Sequence, residues 1–121
     1  MTTRPAMLVV DDDPTYREMI VAIGQMRGIV VLEAGDCGRA LQILDSDQHT
    51  VKLILLDYFM PGMEPKQCAS ELIARAGPSV PIILVTAAVD PAVRAAELKL
   101  HQWLSKPFEI STLEALLTKV A

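Results

Sequence analysis

Lys52-Leu53-Ile54-Leu55-Leu56-Asp57-Tyr58-Phe59-Met60-Pro61 is the stretch whose reading decides the fold. Four consecutive apolar residues, Leu53 to Leu56, run into one carboxylate and are followed by the turn former Met60-Pro61-Gly62. An unbroken apolar run of strand length, bounded in this way, predicts a strand buried on both faces. Asp57 then falls at the carboxyl end of that strand, where open α/β sheets place their ligands. A charge at such a position has to be paired, neutralised or coordinated, because burying it alone is costly.

Working outward, the same pattern recurs. Met7-Leu8-Val9-Val10 is a short apolar run that stops at three acids, Asp11, Asp12 and Asp13. Asp13-Pro14 opens a helix, with Asp as N-cap and Pro at the first helical position. Its apolar stripe is Met19, Ile20, Ile23 and Met26, and Gly28 ends it. Ile29 to Leu32 form a second strand, and Asp36 caps a helix whose stripe is Ala40, Leu41, Ile43 and Leu44. After Asp57, a helix is expected from Glu64 to Ala76, closed by Gly77-Pro78. Pro81 to Val85 form another buried strand ending at Thr86. Asp90-Pro91 opens a helix to about Leu100, and Gln102 to Ser105 form a last strand before Lys106-Pro107. Ser111-Thr112-Leu113-Glu114 has the pattern of a capping box. Strand and helix alternate about five times with short links, so the expected fold is doubly wound α/β with a parallel sheet.

At 121 residues, 51% hydrophobic and 21% charged, the chain suits one globular domain over residues 1–121. A net charge of −4 argues against nucleic-acid binding by this domain. No apolar run approaches the roughly 18 residues of a membrane span, and the amino terminus shows no signal-peptide core. Cys37 and Cys68 have no metal-binding spacing, so reduced thiols and a cytoplasmic location are expected.

In a parallel sheet the residues just past the strand ends line one edge. Here these are Asp11, Asp12 and Asp13, then Asp57, Thr86 and Lys106. Clustered carboxylates repel unless a cation sits among them, and oxygen-only ligands point to a hard ion such as Mg²⁺. Lys106 is a point charge suited to a phosphoryl oxygen, and Thr86 can donate to another. The set fits a phosphoryl site with Asp57 as nucleophile. Singly, each residue has a plainer explanation: a solvated turn, a helix cap (sufficient on its own for Asp13), a core-edge hydroxyl or a surface lysine. Their arrival at successive strand ends of one sheet favours the joint reading.

Leu8-Val9-Val10-Asp11-Asp12-Asp13, Leu55 to Met63, Val85-Thr86-Ala87 and Leu104-Ser105-Lys106-Pro107-Phe108 together resemble the motifs of bacterial two-component response-regulator receiver domains, of the single-domain chemotaxis-regulator kind. The resemblance implies a flavodoxin-like sheet of strand order 2-1-3-4-5. It implies that Asp57 accepts a phosphoryl group from a sensor histidine kinase or a phosphotransfer protein. Asp12, Asp57 and the backbone carbonyl of Phe59 would hold Mg²⁺, with Asp11 acting through water. Lys106 would contact the phosphoryl group, Thr86 would swing toward it, and Trp103 would be the switch aromatic. The Lys106-Pro107 bond is usually cis in the family. An unknown downstream protein would read the change, and a homodimer through the fourth helix, fifth strand and fifth helix stays open.

Some positions depart from the family pattern. Glu64-Pro65 replaces a common Asp-Gly, Lys99-Leu100-His101 replaces a turn that commonly holds Gly-Ala, and Phe59 and Ala88 stand where polar residues are frequent. Two rival functions compete with the receiver reading. A Mg²⁺-dependent aspartyl-phosphate phosphatase would need a second acid two residues after the nucleophile, where Phe59 stands. A degenerate receiver serving only as an interaction module would not need Asp12, Asp57, Thr86 and Lys106.

Overall fold

In the computed structural model, which describes residues 4–46 and 49–120, strands and helices alternate throughout. They are β1 (Arg4–Val10), α1 (Pro14–Met26), β2 (Val30–Ala34), α2 (Cys37–Asp45), β3 (His49–Asp57), α3 (Pro65–Ala76), β4 (Ile82–Thr86), α4 (Pro91–Glu97), β5 (Gln102–Ser105) and α5 (Ile110–Leu117). The strands make one parallel sheet in the order β2-β1-β3-β4-β5. Met1 to Thr3, in the amino-terminal stretch expected to lack a signal-peptide core, lie outside the described residues.

Alternation within the apolar runs divides the core in two. Leu8, Val10, Ile54, Leu56 and Leu84 face one side, against Ala40 and Leu41 of α2, Leu72 of α3 and Ala95 of α4. Met7, Val9, Leu53, Leu55, Ile83 and Val85 face the other, against Ile20 of α1 and Leu113 and Leu117 of α5. Period-two side-chain direction therefore gives every central strand two buried faces. That explains the uninterrupted Leu53–Leu56 run.

Helix starts follow their caps. The Asp13 carboxylate accepts from the Thr15 N–H at 2.9 Å, and Asp36 accepts from the Arg39 N–H at 2.8 Å. Each satisfies a donor that the first turn leaves orphaned, and such a cap stabilises by about 1 kcal/mol. Asp90 precedes Pro91 as expected but makes no side-chain cap bond, and α4 ends at Glu97 rather than near Leu100. Lys99 follows in the left-handed region (φ 60°), in the turn where the family commonly has glycine.

Four sequence expectations are corrected. Met26 is 86% exposed, because α1 turns the small Gly24 toward the sheet instead. An added Cβ at Gly24 would collide with Val31, so only glycine lets α1 and β2 lie this close. The Ser111–Glu114 capping box does not form: Glu109 is the N-cap, Ser111 lies inside the helix, and Glu114 pairs with Arg27 at 2.7 Å. Cys37 and Cys68 are joined in a disulfide across a Cα–Cα distance of 5.9 Å, not free as thiols. Their separation of 31 residues hid this, since only the packing of α2 on α3 brings them together. The second strand begins at Val30 and runs on to Ala34, two residues past the expected end.

Candidate functional site

Strand register assembles the site. Val10 is paired with Leu56, so the next residues, Asp11 and Asp57, emerge side by side from β1 and β3. Asp57 is paired with Val85, and Thr86 with Ser105, which sets Lys106 at the end of the row. The Lys106 N–H donates to the Thr86 carbonyl at 2.8 Å, locking that corner. The Lys106-Pro107 peptide is cis, as the resemblance implied.

Asp11, Asp57 and Lys106 line a crevice of about 460 Å³ together with Asp12, Asp13, Tyr16, Phe59, Ala87 and Pro107. That volume is ample for a phosphoryl group, an ion and several waters, each water taking about 30 Å³. Lys106 Nζ donates to Asp11 Oδ2 at 2.6 Å and stands 3.7 Å from Asp57 Oδ2. Asp11 Oδ1 also accepts from the Asp13 N–H at 2.9 Å, and its backbone carbonyl accepts from Arg17 Nη1 at 2.6 Å. Asp11 is thereby held in place from three directions.

Asp57 is only 8% exposed. Burial pushes its carboxyl from an ordinary 3.8 up to about 6. The Lys106 ammonium pulls the value down, the Asp11 charge raises it, the Phe59 N–H hydrogen bond lowers it, and Asp12 raises it again. Burial alone would lower the pKa of Lys106, but its hydrogen bond with Asp11 and the charges of Asp57 and Asp11 outweigh that, leaving it raised. One lysine faces three acids, so the crevice is short of positive charge.

Ligand oxygens of Asp11, Asp12 and Asp57 all lie within 4.8 Å of one another. Hard oxygen donors without sulfur or imidazole fit Mg²⁺, so the residues present fit the ion that the sequence pointed to. Asp12 is exposed while its two partners are buried, which leaves one side of the cluster open to solvent.

Thr86 is fully buried at the end of β4, and its Oγ1 accepts from the Ala88 N–H at 3.1 Å. Trp103 lies on β5 with 44% of its surface exposed, opposite Leu84 in the register. The geometry thus brings Asp11, Asp12, Asp57 and Lys106 together, with Thr86 at the adjoining strand end and Trp103 on the outer strand. Sequence reasoning missed Tyr16 and Arg17. Their signal was positional: they sit in the first turn of α1, immediately after the acids. It also passed over Tyr58, whose hydroxyl donates to Glu97 of α4 at 3.3 Å, under the Arg94 guanidinium at 5.4 Å.

The comparisons with known proteins agree with this geometry. A family model described as "Response regulator receiver domain" matches residues 7–118. The "Positive alginate biosynthesis regulatory protein" of Pseudomonas aeruginosa is 34% identical over 118 residues, covering 95% of this chain and 46% of that protein. The "DNA-binding response regulator MtrA" of Mycolicibacterium smegmatis is 34% identical over 116 residues, covering 94% of this chain and 49% of that protein. The chain therefore spans about half the length of these relatives. Among solved structures, a response regulator receiver protein from Pseudomonas putida superposes with a TM-score of 0.79 at 28% identity, covering 98% of this chain and 99% of the other. The Thermotoga maritima response regulator TrrA, solved in complex with Mg²⁺-BeF, gives 0.77 at 26% identity, covering 99% and 100%. With its matched span, its strand order and its acid-lined sheet edge in agreement, this chain belongs to the response regulator receiver domain family.

Proposed function

We propose that residues 1–121 act as one receiver domain whose phosphoacceptor is Asp57, taking its phosphoryl group from the phosphohistidine of a sensor histidine kinase or phosphotransfer protein. The observation that carries this is the placement of Asp57: a buried carboxylate at the end of the central strand, beside two further acids and 3.7 Å from one lysine. In the reaction an Asp57 carboxylate oxygen attacks phosphorus and the phosphorus–nitrogen bond to the donor imidazole breaks. The electron pair of that bond stays on the imidazole nitrogen. Asp57 must be ionised to attack, which its value of about 6 permits at neutral pH. Lys106 then meets the new phosphoryl oxygens as a point charge.

Asp12, Asp57 and the backbone carbonyl of Phe59 would hold Mg²⁺, with Asp11 acting through water. The ion supplies positive charge against the phosphoryl oxygens when bound. Thr86, whose Oγ1 now accepts from the Ala88 N–H, would turn to donate its hydroxyl proton to a phosphoryl oxygen, and the space it leaves would admit the Trp103 ring. The surface formed by α4, β5 and α5 would then present a different face to a downstream protein or to a second copy of the chain. Among the described residues no helix is long and apolar enough to cross a membrane. A cytoplasmic location suits a partner of sensor kinases; with the Cys37–Cys68 bond formed, the location rests on that partnership and not on reduced thiols.

Acetyl phosphate with Mg²⁺ should add one acid-stable, base-labile phosphoryl group to the wild type and none to Asp57→Asn, as read by intact mass. Equal labelling of the variant would sink the assignment. The single tryptophan gives the switch its own reporter. Beryllofluoride with Mg²⁺ should change Trp103 emission and reduce its quenching by iodide, because a ring 44% exposed has surface to lose. Thr86→Ala should uncouple that signal while beryllofluoride still binds. Unchanged quenching at saturation in the wild type would make Trp103 a fixed packing residue.

A further inference from the structure

Lys106 has a third neighbour besides its two acids. Its Nζ stands 4.2 Å from the centroid of the Tyr16 ring, over the ring face. That ring is in turn braced by Phe108, two residues beyond Lys106, with centroids 6.0 Å apart and planes tilted by 50°. Tyr16 is half-buried against the core on the α1 side of the sheet and also lines the crevice around Asp57. The four-carbon stem of a lysine gives its ammonium many rotamers, and a fixed aromatic face removes most of them. An aromatic face attracts a cation through its quadrupole and, being apolar, takes no hydrogen bond that the ammonium needs for its acids.

We propose that Tyr16 is a positioning residue for phosphoryl transfer, its ring holding the Lys106 ammonium within the crevice so that it can pass from Asp11 to a phosphoryl oxygen on Asp57 without swinging into solvent. This rests on the phosphoacceptor reading of Asp57. Asp11 alone would hold the ammonium from one side; the ring adds a second side and leaves the direction of Asp57 open. Because the ring contributes its π-face rather than its hydroxyl, phenylalanine should replace tyrosine and an aliphatic residue should not.

The test follows from that distinction. In metal-free protein, the ε-methylene protons of Lys106 should be shifted upfield in the NMR spectrum by the ring current of Tyr16. The shift should persist in Tyr16→Phe and vanish in Tyr16→Leu. Phosphorylation by acetyl phosphate with Mg²⁺ should slow by about three- to tenfold in Tyr16→Leu and return to near the wild-type rate in Tyr16→Phe. In a Lys106→Met background, adding Tyr16→Leu should slow labelling no further. A Tyr16→Leu protein that keeps its thermal midpoint and labels as fast as wild type would overturn the proposal. So would an undiminished effect in the Lys106→Met background, since the ring would then act on something other than the ammonium. If wild type itself takes no label, the phosphoacceptor reading fails and the role of Tyr16 falls with it, while the ring-current shift in metal-free protein would still record the contact.

Discussion

Asp57→Asn is expected to make the metal-free protein more stable at pH 7.5, by about 3 kcal/mol, although it removes the proposed phosphoacceptor. The folded carboxyl titrates at about 6 against an ordinary 3.8. A folded value above the unfolded one means that the native state holds the proton more tightly. Ionised Asp57 therefore costs nothing below pH 3.8, a growing amount between 3.8 and about 6, and its full amount above 6. Raising a pKa by one corresponds to about 1.36 kcal/mol, which sets the size of the gain. Asparagine keeps the shape and cannot ionise. Lys106 keeps its shorter contact with Asp11, so the variant does not strand the ammonium. Urea unfolding with a chelator present should show a higher midpoint for Asp57→Asn at pH 7.5, and the difference should shrink as the pH falls toward 4. A gain independent of pH, or a loss, would mean that charge burial at this strand end is already compensated.

Reduction of the Cys37–Cys68 bond is the second large effect. The bond closes a chain segment with a sequence separation of 31, and closing a loop of that length withholds entropy from the unfolded chain worth about 3–4 kcal/mol. The enclosed segment contains α2, all of β3 and Asp57 itself, so the unfolded chain that the bond restricts is the one that must form the central strand. Both cysteines are buried, packed with Ala40, Leu41, Ala69 and Leu72, and the apolar contacts of α2 with α3 remain when the thiols are free. The native fold should therefore survive reduction while its unfolding midpoint drops. A dithiol reductant should shift the wild-type urea midpoint downward and leave a Cys37→Ala, Cys68→Ala double variant unmoved. Two freely titrating thiols in unfolded, unreduced wild type would show that the bond does not form.

The cysteines also mark where the sequence stops being legible. Apolar runs ending in acids, a hydroxyl and a lysine show the strands, and a parallel sheet then leaves their carboxyl ends no place but one edge. That is why Asp11, Asp12, Asp57, Thr86 and Lys106 can be grouped from the order of residues alone. Residues such as Cys37 and Cys68 meet only through the lateral packing of two helices, and no period in the chain encodes that. The same limit hid Tyr16, because its role depends on which way the first turn of α1 faces across the crevice. Met26 misled for a different reason. Helical period alone put it on the buried stripe, but at this end of α1 it is Gly24 that is buried and makes the close approach to Val31, while Met26 is exposed.

The close approach at Gly24 matters for where motion can go. On that side of the sheet α1 has almost no freedom: it is wedged against Val31, tied to Asp11 through Arg17, and joined to α5 through Arg27 and Glu114. Across the sheet, α4 has seven residues, no side-chain cap and a single buried residue, Ala95; its ties to Tyr58 through Glu97 and Arg94 lie at the surface, and it leads into the left-handed turn at Lys99. Helices so lightly anchored are where local opening costs least. A charge placed on Asp57 loads both sides of the same crevice, yet displacement follows compliance. If Asp57 takes a phosphoryl group as proposed, the stiff wall would recoil little and the soft one would give, so unequal stiffness in the frame would set the direction of the signal before any partner binds.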